Sequence, residues 1–442
     1  MELCFIRFFY LPKTKEDLIL KKMDYQNVRG TQDFLPEQEV MRREIRRTLE
    51  DTFIFYGCKP LETPIINYSE LMASKYAGGA EILQEMYTLS DRGERDLALR
   101  YDLTIPFSKV IAMNPEIPMP FKRYEIGKVF RDGPIKAGRF REFTQCDVDI
   151  VGVKSQAAEA ELMLMAVDAF SKLDVDIFIQ YNNRKLLYGL LQIFEVPEEY
   201  MNQVILVLDK MEKIDRATLL KELTEFTLSD ASLTAIEGFL DAEPSLNYFD
   251  QYIASNSFVR EGLTELRELQ EYLEALQIAD NCIFHPFLAR GLEIYTGTIY
   301  EIFLRNGSIK SSIGSGGRYD NAIGGLIGSD QNFATVGISF GLDVIYTAFE
   351  LAGKTSSDAN VDIYIIPIGT VKQALVLARI LRNEGNRVEV ELSGKKVRKA
   401  MERANKENVS KVIVLGEDEV ANDQYQLRNM NTGEVEKRSF SF

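Results

Sequence analysis

Two strand-forming stretches, Tyr124–Phe130 and Arg141–Val151, face each other across a short glycine-bearing loop, and this pairing constrains the fold more than any other feature. A strand ending at Arg131, a loop and a returning strand predict an antiparallel hairpin with several guanidinium groups near its open end. Side chains alternate across a strand, so Gln145, Asp147 and Asp149 share one surface. Further strands are expected at Cys58–Thr63, stopped by Pro64, at Leu97–Arg100 and Asp176–Tyr181, near Cys282, and at Ile299–Leu304 and Thr335–Phe340. Helices are expected at Val40–Phe53, where Met41, Ile45, Leu49 and Phe53 recur at spacing four, and at Ala157–Leu173, rich in Ala, Leu and Met. Gly57 ends the first of them. Arg184–Leu276 is helical and charged with recurrent Leu, which reads as a helical insertion. Strands separated by long helical stretches predict an α+β fold, a mainly antiparallel sheet with helices on one side.

Lys354–Ala359 is small and polar, a linker. Beyond it come strand Val361–Pro367, helix Val371–Glu384, strand Arg387–Glu391, helix Lys395–Asn405 and strand Lys411–Leu415, the alternation of a separate small α/β domain. A chain of 442 residues, 45% hydrophobic, has material for two to four domains. No apolar run approaches the ~20 residues of a membrane span. Met1–Leu11 is apolar but broken by Arg7 and lacks a small-residue cleavage site, so residues 1–22 read as an extension and the fold starts at Met23. Cys4, Cys58, Cys146 and Cys282 are scattered, which fits free thiols in a reducing cytoplasm better than a disulfide framework or a zinc site. The net charge of −15 argues against a general nucleic-acid coat protein, but a local basic face would still allow a nucleic-acid partner. Asn360–Phe442 carries 14 Lys and Arg against 12 Asp and Glu, so the acidity sits in the larger N-terminal part.

Three segments carry chemistry. The first is the hairpin, with Arg131, Arg139 and Phe143: guanidinium groups grip phosphate oxygens in a fixed fork, and an aromatic face suits a purine. Surface ion pairing is the plainer reading of these arginines. The second is Arg290-Gly-Leu-Glu-Ile-Tyr295, where Arg and Tyr flank a glycine that lets backbone approach a ligand; an ordinary turn is the alternative. The third, Gly314-Ser-Gly-Gly-Arg318-Tyr-Asp320, loosely suggests a phosphate loop without Walker spacing. His285 is the only histidine and reads as structural, so general acid–base catalysis by histidine is not expected. Lys395, Lys396, Arg398 and Lys399 form a basic run that suits either nucleic-acid phosphates or a solvated helix face.

Taken together, and in this order, the motifs resemble the histidyl-tRNA synthetases over nearly all of Asp24–Phe442. Arg29-Gly-Thr-Gln-Asp-Phe-Leu-Pro36 is similar to that family's N-terminal signature. The helix and strand ending at Pro64 resemble class II motif 1, which builds a dimer interface. Arg100-Tyr-Asp-Leu-Thr104 resembles the amino-acid-binding strand, Phe130–Phe143 motif 2, and the Arg290–Tyr295 and Gly316–Asp320 segments the two histidine motifs. The resemblance implies a class II antiparallel sheet in residues 23–353, with a helical insertion at about 185–278, and an anticodon-binding α/β domain at 360–442. It implies ATP as substrate with Mg²⁺ alongside, L-histidine and tRNA(His) as partners, a homodimer, and no membrane. It further implies that Arg131 holds the α-phosphate, Arg139 the outer phosphates, and that Phe143 stacks on adenine. Asp102, Thr104 and Gln145 would receive the α-amino group, Asp149 and Tyr295 the imidazole, and Arg290 the charge developing at the α-phosphate.

Two residues depart from the pattern. Val344 stands where motif 3 ordinarily ends in arginine, with Arg318 as a candidate substitute, and Ile294 replaces a second aromatic beside Tyr295. The missing arginine favours an alternative, a synthetase-like regulatory subunit of ATP phosphoribosyltransferase. The retained arginines and the C-terminal domain favour the ligase. A synthetase-like enzyme that charges something other than tRNA is the third reading.

Overall fold

A computed structural model describes residues 25–74, 80–135, 138–211, 214–242, 244–289, 294–328, 332–354 and 361–440. The expected extension at 1–22, most of the expected linker, and Arg290 lie outside the described residues.

The first helix runs Pro36–Phe55, earlier than the apolar spacing alone indicates, because Pro36 fits the first turn and Gln38 reaches back to the Leu35 N–H at 3.1 Å. Its stripe of Met41, Ile45, Leu49 and Phe53 is buried, each side chain contributing roughly 2 kcal/mol. Gly57, with φ +74°, turns the chain into the sheet. The expected strand Cys58–Thr63 contracts to β1 (Lys59–Pro60). Leu61 N–H still bonds the Tyr124 carbonyl, while the Thr63 N–H turns to the Glu125 carboxylate. A small antiparallel sheet follows, of β2 (Ile66–Tyr68), β3 (Thr88–Ser90) and β4 (Asp96–Leu99), with β4 in the middle.

The main sheet adds β5 (Phe121–Phe130), β6 (Glu142–Val151), β7 (Ile177–Asn183), β8 (Cys282–Phe284), β9 (Thr298–Leu304), β10 (Gly314–Arg318) and β11 (Thr335–Gly341). Its order is β1-β5-β6-β11-β10-β9-β7-β8. The β1–β5 and β7–β8 edges are parallel and every other pair is antiparallel. One face, carrying Cys146, Val148, Ile338 and Phe340, packs into the core with helices Pro36–Phe55, Ala157–Lys172 and Leu342–Leu351. The other face carries Gln145, Asp147 and Asp149. The glycine-rich segment Gly314–Arg318 is not a loop: it is a central strand hydrogen-bonded on both sides.

The insertion is helical as expected, with α-helices Arg184–Ile193, Glu198–Leu208, Arg216–Leu223, Asp230–Asp241 and Ser257–Ala275 and a 3₁₀ turn at Leu246–Tyr252. Four of these helices start on side-chain caps, with Asn183, Asp215, Ser229 and Asn256 accepting from first-turn N–H groups. The C-terminal residues form a second sheet of β12 (Ile363–Pro367), β13 (Val388–Val390), β14 (Lys411–Leu415), β15 (Gln424–Asn429) and β16 (Val435–Ser439), in the order β13-β12-β14-β15-β16. Helix Val371–Asn383 covers one face through Leu377 and Leu381, and helix Val397–Lys406 covers the other through Ala400 and Ala404.

Candidate functional site

On the polar face of the main sheet a cavity encloses about 430 Å³, its open mouth included. Asp102, Thr104, Asp147, Asp149, Tyr295 and Tyr319 line it, together with backbone of β10 and β11. The space exists because the strands beneath it lack side chains. A Cβ at Gly337 would lie 2.0 Å from Asp149 Oδ1, and one at Gly317 would lie 2.7 Å from the Thr298 carbonyl and 2.9 Å from the Tyr295 ring. Glycine at both positions lets Asp149 and Tyr295 cross close over the backbone.

Asp149 is anchored from two directions. The Tyr319 hydroxyl donates to its Oδ1, and Arg123 Nη2 pairs with its Oδ2 at 2.5 Å. Arg123 sits opposite Asp149 on β5, is wholly buried, and lies over the Phe107 ring at 4.3 Å. Burial, and then the Asp149 charge, push the Tyr319 hydroxyl well above its usual range, so it stays a donor. Asp102 Oδ1 accepts the N–H groups of Thr104 and Ile105 at 3.1 and 3.0 Å, capping helix Thr104–Met113. Burial raises the Asp102 carboxyl, and those backbone bonds and Arg131 oppose the rise. Asp147 is 3% exposed, and burial pushes its carboxyl up to about 8 against the pull of Arg123 and of the Ser339 hydroxyl. Gln145 Nε2 donates to Ser339 Oγ at 3.0 Å.

Beside the cavity lie the hairpin arginines, in the loop 131–141 that joins β5 to β6. Arg131 Nε donates to the Tyr101 carbonyl at 3.1 Å, and its guanidinium lies over the rings of Tyr101 and Phe143, at 4.2 and 5.2 Å. Arg131 is thus tied to the residue preceding Asp102. Arg139 is half exposed and 3.6 Å from Glu85, whose other oxygen accepts from the Tyr101 hydroxyl. Arg100 points elsewhere: it binds Glu125 and the carbonyls of Thr63 and Lys128, fastening β5 to the preceding chain.

Arg318 is not a substitute for the missing motif 3 arginine. It is buried, grips Glu159 with two bonds of 2.6 and 2.7 Å, and donates to the Val153 and Ser155 carbonyls. Val344 packs against Gly138, where an added Cβ would lie 2.9 Å from Val344 Cγ2.

The structure thus gathers Asp102, Thr104, Asp149 and Tyr295 at one cavity, with Gln145 joined through Ser339, and sets Arg131 beside Phe143 next to it. Lys395, Lys396, Arg398 and Lys399 are exposed around the start of helix Val397–Lys406 in the other sheet's unit, with Arg398 paired to Glu402 at 3.0 Å. Asp147, Tyr319 and Arg123 were missed as site residues. The alternation of β6 already put Asp147 on the right surface, and Tyr319 stands in a quoted motif. Among the described residues no three acidic, histidine or cysteine side chains cluster as an ion cage. Magnesium carried on phosphates needs only one or two carboxylates from the protein.

A family model described as histidyl-tRNA synthetase matches residues 30–345, and one described as anticodon binding domain matches residues 362–442. A histidine–tRNA ligase 2 of Shouchella clausii is 56% identical over 425 residues, covering 96% of this chain and 100% of its own length. A histidine–tRNA ligase 1 of Bacillus anthracis is 56% identical over 413 residues, 93% of this chain and 97% of that protein. The crystal structure of histidyl-tRNA synthetase from Nostoc sp. PCC 7120 matches with a TM-score of 0.81 at 27% identity, covering 95% of this chain and 97% of that one. An ATP phosphoribosyltransferase regulatory subunit/histidyl-tRNA synthetase from Bacillus halodurans C shares the fold, with a TM-score of 0.75 at 19% identity over 90% of this chain and 99% of that one.

Proposed function

The chain belongs to the histidyl-tRNA synthetase family, and we propose that it is a histidine–tRNA ligase that activates L-histidine with ATP and esterifies tRNA(His). The observation that carries this reading is one cavity lined by Asp102, Thr104, Asp149 and Tyr295, bonded through Tyr101 to the Arg131 and Phe143 pair. Residues 23–353 are the catalytic domain, with the insertion at about 185–278, and residues 360–442 bind the anticodon.

Adenylate formation needs no general base, because the histidine carboxylate is already a nucleophile. Its oxygen attacks the α-phosphorus and pyrophosphate leaves. The task left to the protein is positioning and stabilising a crowded, charged phosphate. Arg131 and Arg290 hold the α-phosphate, Arg139 the outer phosphates, and Phe143 stacks on adenine. A Mg²⁺ ion bound together with the nucleotide would supply neutralisation of phosphate charge. Asp102, Thr104 and Gln145 receive the α-amino group. Asp149 and Tyr295 pair the two ring nitrogens, and a side chain without them would leave buried polar groups unmet. Then a ribose hydroxyl of the tRNA terminus attacks the adenylate carbonyl and AMP leaves. Lys395, Lys396, Arg398 and Lys399 meet tRNA phosphates. The enzyme works as a homodimer in the cytoplasm.

Pyrophosphate exchange into ATP, measured with each amino acid in turn, tests the reading. Exchange that depends on L-histidine is the expected result. Intact histidine binding with no exchange would overturn it in favour of the regulatory subunit.

A further inference from the structure

The cavity holds more carboxyl groups than the roles above use. Asp102, Asp147 and Asp149 all line it, and the buried Arg123 beneath is already paired with Asp149. Asp147 Oδ1 is buried and makes no hydrogen bond. The Ser339 hydroxyl holds the same carboxyl, and Ser339 in turn accepts from Gln145 Nε2. Gln145 Oε1 is likewise buried and unbonded. Two buried polar oxygens without partners therefore stand two residues apart on one face of β6, about 7 Å along the strand. Such unmet groups are rare in folded proteins and call for a donor that binds there.

We propose that Asp147 is a further substrate-binding residue that receives the α-ammonium of the bound amino acid, together with Gln145 and Asp102. The inference rests on the amino-acid ligase reading above. An ammonium group has three N–H donors and no acceptor, which suits the carboxyls of Asp102 and Asp147 that line the cavity and the Gln145 oxygen on the same face of β6. Its charge also suits the surroundings. Arg123 and Glu125 on β5, Asp149 on β6, Ser339 on β11 and Asp102 ahead of its helix face Asp147, with Arg123 the one cation named among them. In the empty cavity burial keeps the Asp147 carboxyl protonated near neutrality. An arriving ammonium replaces that proton's charge, and the carboxyl ionises.

The test is calorimetric binding to the full chain of L-histidine and of 3-(imidazol-4-yl)propionate, which lacks the amine. Asp147→Asn should weaken L-histidine binding about tenfold or more, the scale of a charge-assisted hydrogen bond, and leave the deamino analogue unchanged. Ser339→Ala keeps the carboxyl and should give a smaller loss, again confined to the amine-bearing ligand. Wild-type affinity for L-histidine should also rise from about pH 7 towards about 8 as Asp147 ionises, and the Asn variant should lose that slope. Equal weakening of both ligands, or unchanged histidine affinity in the Asn variant, would overturn the proposal. A wild-type protein that activates another amino acid would sink the histidine reading alone. The same pair of measurements with that amino acid and its deamino analogue then decides Asp147.

Discussion

Val344 puts two methyl groups where the segment that resembles class II motif 3 would carry an arginine, and its neighbours show what that exchange does. The side chain rests on Gly138, next to Arg139, so the hairpin loop lies against hydrocarbon instead of against a fixed cation. Arg318 does not restore the charge, since Glu159, two carbonyls and Asp320 take its donors. That leaves Arg139, whose 3.6 Å separation from Glu85 is loose enough for phosphate to compete. Val344→Arg should therefore lower the KM for ATP about tenfold with little change in kcat, since one charge-assisted bond is worth about 1.5–3 kcal/mol. An unchanged or higher KM in exchange assays would show that the outer phosphates are already fully held. At this scale the sequence was readable where chemistry is local. The face shared by Gln145, Asp147 and Asp149 follows from alternation alone. The Arg123–Asp149–Tyr319 chain was not readable, because it joins positions 123, 149 and 319 that only the sheet register brings together.

Elements show where pattern reading succeeds and where it misleads. The hairpin β5–β6 and the insertion helices follow from periodicity, because their apolar residues repeat at the period of the structure they form. Gly314–Arg318 reads as a loop because three of its five residues are glycine, yet it is a central strand. Gly317 serves the cavity above it, while Gly314 and Gly316 leave room beneath it for Phe340, Ile302 and Tyr300, a demand that propensity does not register. The hairpin β15–β16 went unpredicted because β15 alternates over only two buried residues, Tyr425 and Leu427, and β16 buries none. Arg318, at the end of β10, ties that strand to helix Ala157–Lys172 through Glu159, with both side chains buried. Arg318→Met alone strands a buried carboxylate and should cost about 3–5 kcal/mol in urea unfolding, whereas adding Glu159→Leu should recover most of that loss. A double variant no more stable than the single one would show that the pair does more than balance charge.

At the scale of the whole molecule, the end of the first helix and strand β2 expose large apolar side chains: Ile54, Phe55, Ile66 and Tyr68 are all at least half exposed. Ile54 and Phe55 belong to the segment that resembles motif 1, Ile66 and Tyr68 follow just beyond its end at Pro64, and a second copy of the chain is the partner proposed for this surface. The same helix reaches the site. Arg42 pairs with Asp343 at 2.6 Å, and the other Asp343 oxygen accepts the Thr144 N–H at 2.7 Å, between Phe143 and Gln145. A change at the outer face of the helix is thereby connected, through one buried ion pair, to the strand that carries the substrate groups. Phe55→Glu with Tyr68→Glu should therefore do two things. The variant should sediment near the 50.4 kDa chain mass while the wild type sediments at twice that value, and histidine-dependent exchange should fall with it. Arg42→Met should lower exchange without dissociating the dimer, since it breaks the link but leaves the apolar face intact. A wild-type protein that sediments as a single chain, or a fully active monomeric variant, would show that the helix builds the site without any help from a second subunit.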